Sequence, residues 1–181
     1  MKNLIKLKHW QAFMIYALGL ILHIIFLKVD LKFGIITSLE LSGAFAIITL
    51  IFFFLWVLAI GLFVNNITEN PYKFRNGLLV FAVLCSTIGY ANLNLERVGL
   101  TGEIIPEWIS IILTPLTLFG IIYTFYNVSK SFKSIEINRK ATFSEYILDA
   151  ILLFAFPIGV WFIQPRLNNI YIANKLTKNE N

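Results

Sequence analysis

Four long apolar blocks constrain the fold of this chain more than any other feature. They cover about residues 10–27, 41–64, 77–95 and 108–126, and polar connectors separate them. At 1.5 Å per helical residue, blocks of about 18 to 24 residues match a hydrocarbon core about 30 Å thick. Hydrophobic residues make up 58% of the 181 residues and charged residues only 14%, unlike a soluble domain. The sequence therefore predicts an all-α integral membrane protein with a single transmembrane domain over 1–181.

A fifth apolar segment, 146–163, is shorter in effect than the other four. Asp149 lies one turn inside it, so the uninterrupted apolar run covers only residues 150–163. Runs of about 10 to 14 residues are typical of re-entrant or interfacial elements. Pro157 and Gly159 predict a kink in the middle, and Gln164-Pro165-Arg166 predicts an abrupt end. We predict a re-entrant or interfacial segment, with a fifth span as the alternative.

The distribution of Lys and Arg predicts the orientation. With five spans, nine basic residues lie on the N-terminal side and six on the other; with four spans, the split is 12 against three. Because basic residues are enriched in cytoplasmic loops, the second arrangement is favoured. The N-terminus and the 127–144 loop are then cytoplasmic. Lys2, Lys6 and Lys8 precede the first block without a small-residue cleavage site after it, which indicates an uncleaved signal anchor.

Local signals mark several helix ends and bends. Thr142-Phe143-Ser144-Glu145 has the spacing of a capping box. Thr114-Pro115 predicts a kink in the fourth span, with Thr114 or Thr117 bonding the carbonyl that the proline frees. The tail 165–176 predicts a short amphipathic helix at the membrane surface, with Leu167, Ile170 and Tyr171 on one side.

Two ionisable residues fall within apolar segments, where such groups are costly and often functional. His23 lies five residues before Lys28, so it is either interfacial or a proton or ligand site. Asp149 either receives stabilisation from the helix dipole near a helix start or pairs with a basic residue if the chain folds back. The candidates for that pairing are Arg139, Lys140 and Arg166.

Small and polar residues form one stripe along the third span. The helical spacing places on one face Ala82, Cys85, Ser86, Gly89 and Asn92. Small residues allow a neighbouring helix to approach closely, and serine or asparagine can hydrogen-bond across the contact. The stripe is therefore a candidate for helix packing, within the chain or between subunits, or for lining a narrow polar pathway.

Several function classes lack their sequence signatures. There is no HExxH, GxSxG, GxxxxGK[ST] or GxGxxG motif, and one cysteine and two histidines make a zinc site unfavourable. We expect no catalytic residue, no cofactor and no metal. A coupled transporter is disfavoured because no inverted repeat or charged mid-membrane residue is evident. The net charge of +5 follows from basic cytoplasmic loops, so we expect no nucleic-acid partner.

Two segments stand out near the ends of the chain: KLKHWQ at 6–11, and a stretch from TFSE at 142–145 through FPIGVWFIQPRLN at 156–168. They resemble the ends of a family of small, uncharacterised bacterial multi-span membrane proteins. The resemblance implies a bacterial inner-membrane location but no activity. It also implies that one recurrent structural device contains Pro157, Gly159, Gln164, Pro165 and Arg166.

The charge pattern leads to the functional hypotheses. With four spans, the cytoplasmic face carries about +8 and the 96–107 loop outside carries −2. Such a face suits anionic lipid headgroups and an unidentified protein partner. We therefore expect a non-enzymatic accessory or assembly component. The alternatives are a homo-oligomeric pore or membrane-perturbing effector, of a stress or anti-phage type, and an intramembrane enzyme that uses Asp149 or His23.

Overall fold

The structure, a computed structural model, describes residues 2–28, 35–67, 73–97 and 106–179, and its regular elements there are all helices. The elements are α1 (Lys2–Ile5), α2 (His9–Lys28), α3 (Ile35–Ile67), α4 (Asn76–Arg97), α5 (Glu107–Ile137), α6 (Phe143–Phe154) and α7 (Phe156–Asn179). Four stretches are long and apolar enough to cross a membrane: His9–Phe26, Leu41–Ile67, Asn76–Leu93 and Trp108–Ile137. The predicted helical membrane class is thus confirmed, with α2 to α5 as the candidate spans.

Successive spans run antiparallel. His23, near the end of α2, bonds to Ser42, near the start of the apolar part of α3. Asn65, near the end of α3, donates from Nδ2 to Asn76 Oδ1 at the start of α4, at 2.6 Å. The starts of α2, α4 and α6 and the ends of α3, α5 and α7 therefore meet at one end of the bundle, which we call the basic end.

The helices α6 and α7 form a hairpin rather than one rod. Asp149 and Arg166 are 17 residues apart, yet their side chains are 2.6 Å apart. In a continuous helix they would be separated by roughly 25 Å. The chain reverses at Ala155, which has φ −80° and ψ 52°. A Cβ on Gly159 would overlap the carbonyl oxygen of Leu152, so the two arms approach closely because this residue is glycine.

The tip of the hairpin packs into an aromatic core. The Phe156 ring lies 4.7 Å from Tyr16 on α2, and 5.2 Å and 4.7 Å from Phe53 and Trp56 on α3. Phe53 is near the middle of the apolar stretch Leu41–Ile67. Edge-to-face contacts at these distances add about 0.5–1.5 kcal/mol per pair to the burial of the rings. The hairpin thus reaches from the basic end to the middle of the bundle.

The predicted kink in the middle of this segment is present, and the predicted helix end is wrong. The break is at Ala155, two residues before Pro157, which lies in the first turn of α7, where a missing N–H breaks no helical bond. The helix does not end at Gln164-Pro165-Arg166; α7 continues through Pro165 to Asn179. Gln164 and Leu167, on either side of this proline, are fully buried, and their packing holds the helix together. The expected amphipathic tail is the second half of α7, and its Leu167 face lies on the core.

The predicted 127–144 loop is also mostly helical, because α5 extends to Ile137. Val128 and Phe132 are buried, and the hydroxyls of Ser129 and Ser134 donate to carbonyls one turn back. Asn138, at φ 52°, ends the helix.

In the fourth span, the hydroxyls of Thr114 and Thr117 donate to the carbonyls of residues 110 and 113. Neither bonds the carbonyl of residue 111, which the proline at 115 frees, so this predicted contact is wrong.

Candidate functional site

One guanidinium joins three helices at the basic end. From α7, Arg166 donates from Nη1 and Nη2 to the two carboxylate oxygens of Asp149 on α6, at 2.6 and 3.1 Å. It also donates from Nε and Nη2 to the carboxylate of Glu136 on α5, the first at 2.5 Å. Its carbon Cζ lies 4.8 Å from the ring centre of Phe132. We call Arg166, Asp149 and Glu136 the Arg166 cluster.

The ion pairs of the Arg166 cluster are partly or fully buried. Asp149 is only 3% exposed, and Glu136 has a second cation, Lys133, at 3.2 Å. Burial by itself lowers the pKa of Arg166, but the hydrogen bonds to Glu136 and Asp149 outweigh it and raise the pKa above its ordinary value. Three basic residues were predicted as possible partners of Asp149, and the structure shows the pairing with Arg166.

The start of α6 holds a second, exposed ion pair. The backbone N–H of Thr142 donates to the Glu145 carboxylate at 2.7 Å, which confirms the predicted capping box, and Arg139 pairs with the same carboxylate. The bonds from Thr142 and Arg139 lower the pKa of Glu145 to about 2. This exposed pair links the start of α6 to the residues just after α5.

A buried amide ties the N-terminal segment to the bundle. Gln164 has no exposed surface; its Nε2 donates to the carbonyls of Ile5 and Leu7 at 2.8 and 2.9 Å. Its Oε1 accepts a hydrogen bond from Trp56 Nε1 at 2.8 Å. Nothing in the sequence indicated this partner, since Trp56 and Gln164 are 108 residues apart.

The ion pairs leave a cationic surplus at the basic end. The side chains that the structure describes there include ten Lys or Arg and three carboxylates, Glu136, Glu145 and Asp149. All three carboxylates are engaged, by Arg166, Arg139 and Lys133. The remaining seven basic side chains are Lys6, Lys8, Lys73, Arg75, Lys130, Lys140 and Lys175.

The small-residue stripe of α4 lies against α5 of the same chain. Ala82, Ser86, Gly89 and Asn92 are buried, and Cys85 is partly exposed. A Cβ on Gly89 would overlap Thr117, and a Cβ on Gly120 would lie 2.6 Å from the Ser86 hydroxyl. Asn92 Nδ2 donates to Ser110 Oγ at 3.1 Å. In this arrangement the stripe brings two helices of one chain together.

His23 is held by α3. Its Nδ1 lies 2.9 Å from the hydroxyl and 3.0 Å from the carbonyl oxygen of Ser42, which is fully buried. The ring is partly buried and borders a cavity inside the bundle. The structure therefore places His23 and Asp149 in different parts of the molecule, with no shared site.

Among the residues that the structure describes, no group of three or more His, Cys, Asp or Glu side chains could hold a metal ion. The resemblance to an uncharacterised family stays a prediction. No protein-family model, no curated protein and no solved structure matches this chain.

Proposed function

We propose that this chain is a non-enzymatic integral membrane protein that acts as an accessory component by presenting the basic end to anionic lipid headgroups. The observation that supports this is the complete engagement of the three described carboxylates at that end, beside seven further cationic side chains. A basic residue near an anionic membrane surface contributes about 1 kcal/mol to the attraction.

The same proposal places the basic end and the N-terminus in the cytoplasm of a bacterial cell, with the chain in the inner membrane. The basis is the excess of Lys and Arg at this end. In this orientation the α6–α7 hairpin enters from the cytoplasmic side and returns, as a re-entrant element. Phe156, the residue after the break at Ala155, packs against aromatic rings of α2 and α3, so protein covers this side of the irregular backbone at membrane depth.

The Arg166 cluster also supports a role without catalysis. Both carboxylate oxygens of Asp149 accept hydrogen bonds from Arg166, so this carboxylate is committed to a structural ion pair rather than to proton transfer. The small-residue stripe, buried against α5, supports a packing role more than a pathway through an oligomer. We accordingly expect purified protein in liposomes to show no ion flux.

The test compares anionic with zwitterionic lipid. Purified protein in mild detergent is mixed with phosphatidylglycerol or phosphatidylcholine, and bound lipids are counted by native mass spectrometry. We expect preferential retention of phosphatidylglycerol that weakens with salt, because exposed charges are screened. The variant K8A/K73A/K140A should lose the preference, while K28A, at the other end of α2, should keep it. Equal retention of both lipids, or equal loss in both variants, would refute the proposal.

A further inference from the structure

A cavity of about 260 Å³ lies inside the bundle, away from the basic end. Residues of α2 to α7 line it, and its apolar wall is rich in aromatic rings: Phe53, Phe54, Phe125, Phe154 and Phe156. The tip of the hairpin supplies two of these rings. The cavity therefore exists because the hairpin ends in the middle of the bundle instead of crossing it.

The cavity opens sideways, toward the surface that the candidate spans present to lipid. Three of its lining residues are exposed there: Leu20 by 40%, Tyr90 by 43% and Phe154 by 70%. Leu20 lies in the apolar stretch His9–Phe26. A ligand would accordingly enter from the hydrocarbon of the bilayer, which selects a lipid-soluble molecule.

Polar groups lie among the rings. Tyr16 and His23 of α2 and Tyr90 of α4 each contribute to the lining. The described hydrogen bonds of the His23 ring are made by Nδ1, which leaves Nε2 for a ligand. The Thr49 hydroxyl, by contrast, donates to the Phe45 carbonyl at 2.7 Å. The cavity thus offers the Tyr16 hydroxyl and Nε2 of His23 to a molecule with hydrogen-bonding oxygens.

We propose that this cavity binds the ring of a lipid-soluble quinone, whose apolar tail leaves through the lateral opening. The volume is below the roughly 300–1,000 Å³ of sites that enclose a whole drug-sized ligand, so it suits one ring system. Flat aromatic walls favour offset or edge contacts with a flat ring. The carbonyl oxygens of a quinone accept hydrogen bonds from groups such as the Tyr16 hydroxyl. A saturated acyl chain would leave such groups without a partner, which is costly in an apolar medium.

Menadione, a tailless naphthoquinone, is a suitable probe because quinones quench tryptophan fluorescence. Trp56 is the reporter, since its ring lies 4.7 Å from Phe156 in the cavity wall. The other three tryptophans, Trp10, Trp108 and Trp161, are exposed and are replaced by phenylalanine in every protein titrated, the reference protein included. The full chain in detergent micelles is titrated with menadione. We expect saturable quenching in the unchanged protein.

Two matched variants of α3 test the location. Ala46 lines the cavity, whereas Ala44, two residues earlier on α3, is exposed outside it. Ala46→Phe fills the cavity and should raise the midpoint of quenching by about tenfold, a loss of about 1.4 kcal/mol. Ala44→Phe adds the same ring and should leave the midpoint unchanged. If Ala46→Phe fails to fold, as judged by elution profile and circular dichroism, Tyr16→Phe replaces it and should raise the midpoint about threefold.

Three results would overturn the quinone site. The first is quenching that rises without saturation, as expected for partition into the micelle. The second is an equal midpoint for Ala46→Phe and Ala44→Phe, or for Tyr16→Phe and the unchanged protein where Tyr16→Phe is the variant used. The third is displacement of menadione by dodecanol at the same concentration as by a second quinone, which would identify a site for hydrocarbon chains.

Discussion

Replacing Arg166 with methionine tests whether the Arg166 cluster stabilises the fold as an ion pair or only through packing. Methionine keeps most of the side-chain volume but strands Asp149, which is 3% exposed. Removing one partner of a buried pair costs about 3–5 kcal/mol. Arg166 is 30% exposed, and Glu136 retains Lys133, so partial access of water places the expected loss near the lower limit, about 3 kcal/mol.

The second variant distinguishes the two explanations. In R166M/D149L the stranded carboxylate is also removed, so the double variant should be more stable than R166M alone by about 1–2 kcal/mol. Stability is measured as the free energy of unfolding in mixed micelles titrated with sodium dodecyl sulfate. R139M, which breaks the exposed pair with Glu145, is the control and should shift the midpoint little. If R166M/D149L is less stable than R166M, the stranded-charge reasoning is refuted.

Three further predictions concern the hairpin and its anchors. Gly159→Ala should destabilise the fold by about 1–3 kcal/mol, because the new methyl group overlaps the carbonyl of residue 152. The control Gly77→Ala has open space around the new methyl group and should not destabilise the fold. Thermal unfolding followed by circular dichroism compares the two variants. Gln164→Leu should cost about 2 kcal/mol and speed hydrogen exchange at residues 5–12, because it removes the partner of buried Trp56 and of two carbonyls; unchanged exchange would contradict this. The Glu145 cap, with a pKa of about 2 against an ordinary 4.5, stabilises the fold above pH 4.5 and is lost as the pH falls toward 2, so an acid titration of E145Q should lack this component.

The spans were predictable because their signal is local and strong. Composition and length alone identify stretches such as Leu41–Ile67, since crossing a bilayer needs about 20 apolar residues whatever their neighbours. The capping box at Thr142 was predictable for the same reason, because all its members lie within four residues. The helical end of α5 was not. Its serines look like loop residues in the sequence, but Ser129 and Ser134 bond their own helix and become buried.

The candidate site was only partly predictable because its partners are distant in sequence. Asp149 stood out as a carboxylate in an apolar segment, and Arg166 was one of three possible partners. Choosing among them requires the full chain reversal at Ala155, and Pro157 and Gly159 indicated only a kink in this segment. Gln164 was predicted to belong to a structural device, but its partners could not be identified, since they lie 108 and 159 residues away.

The hairpin connects the two surfaces to which we assign roles. Its outer part carries Asp149 and Arg166, which pair with each other. Asp149 therefore does not neutralise any of the other cations at the basic end. Its tip carries Phe154 and Phe156, which form one wall of the cavity. A shift of the tip toward or away from Phe53 would therefore be transmitted along two short helices to the Arg166 cluster. Because the cluster is bonded to Glu136 on α5, such a shift must either move the end of α5 or break an ion pair. Occupancy of the cavity and the stability of the basic end should consequently be coupled through this one element.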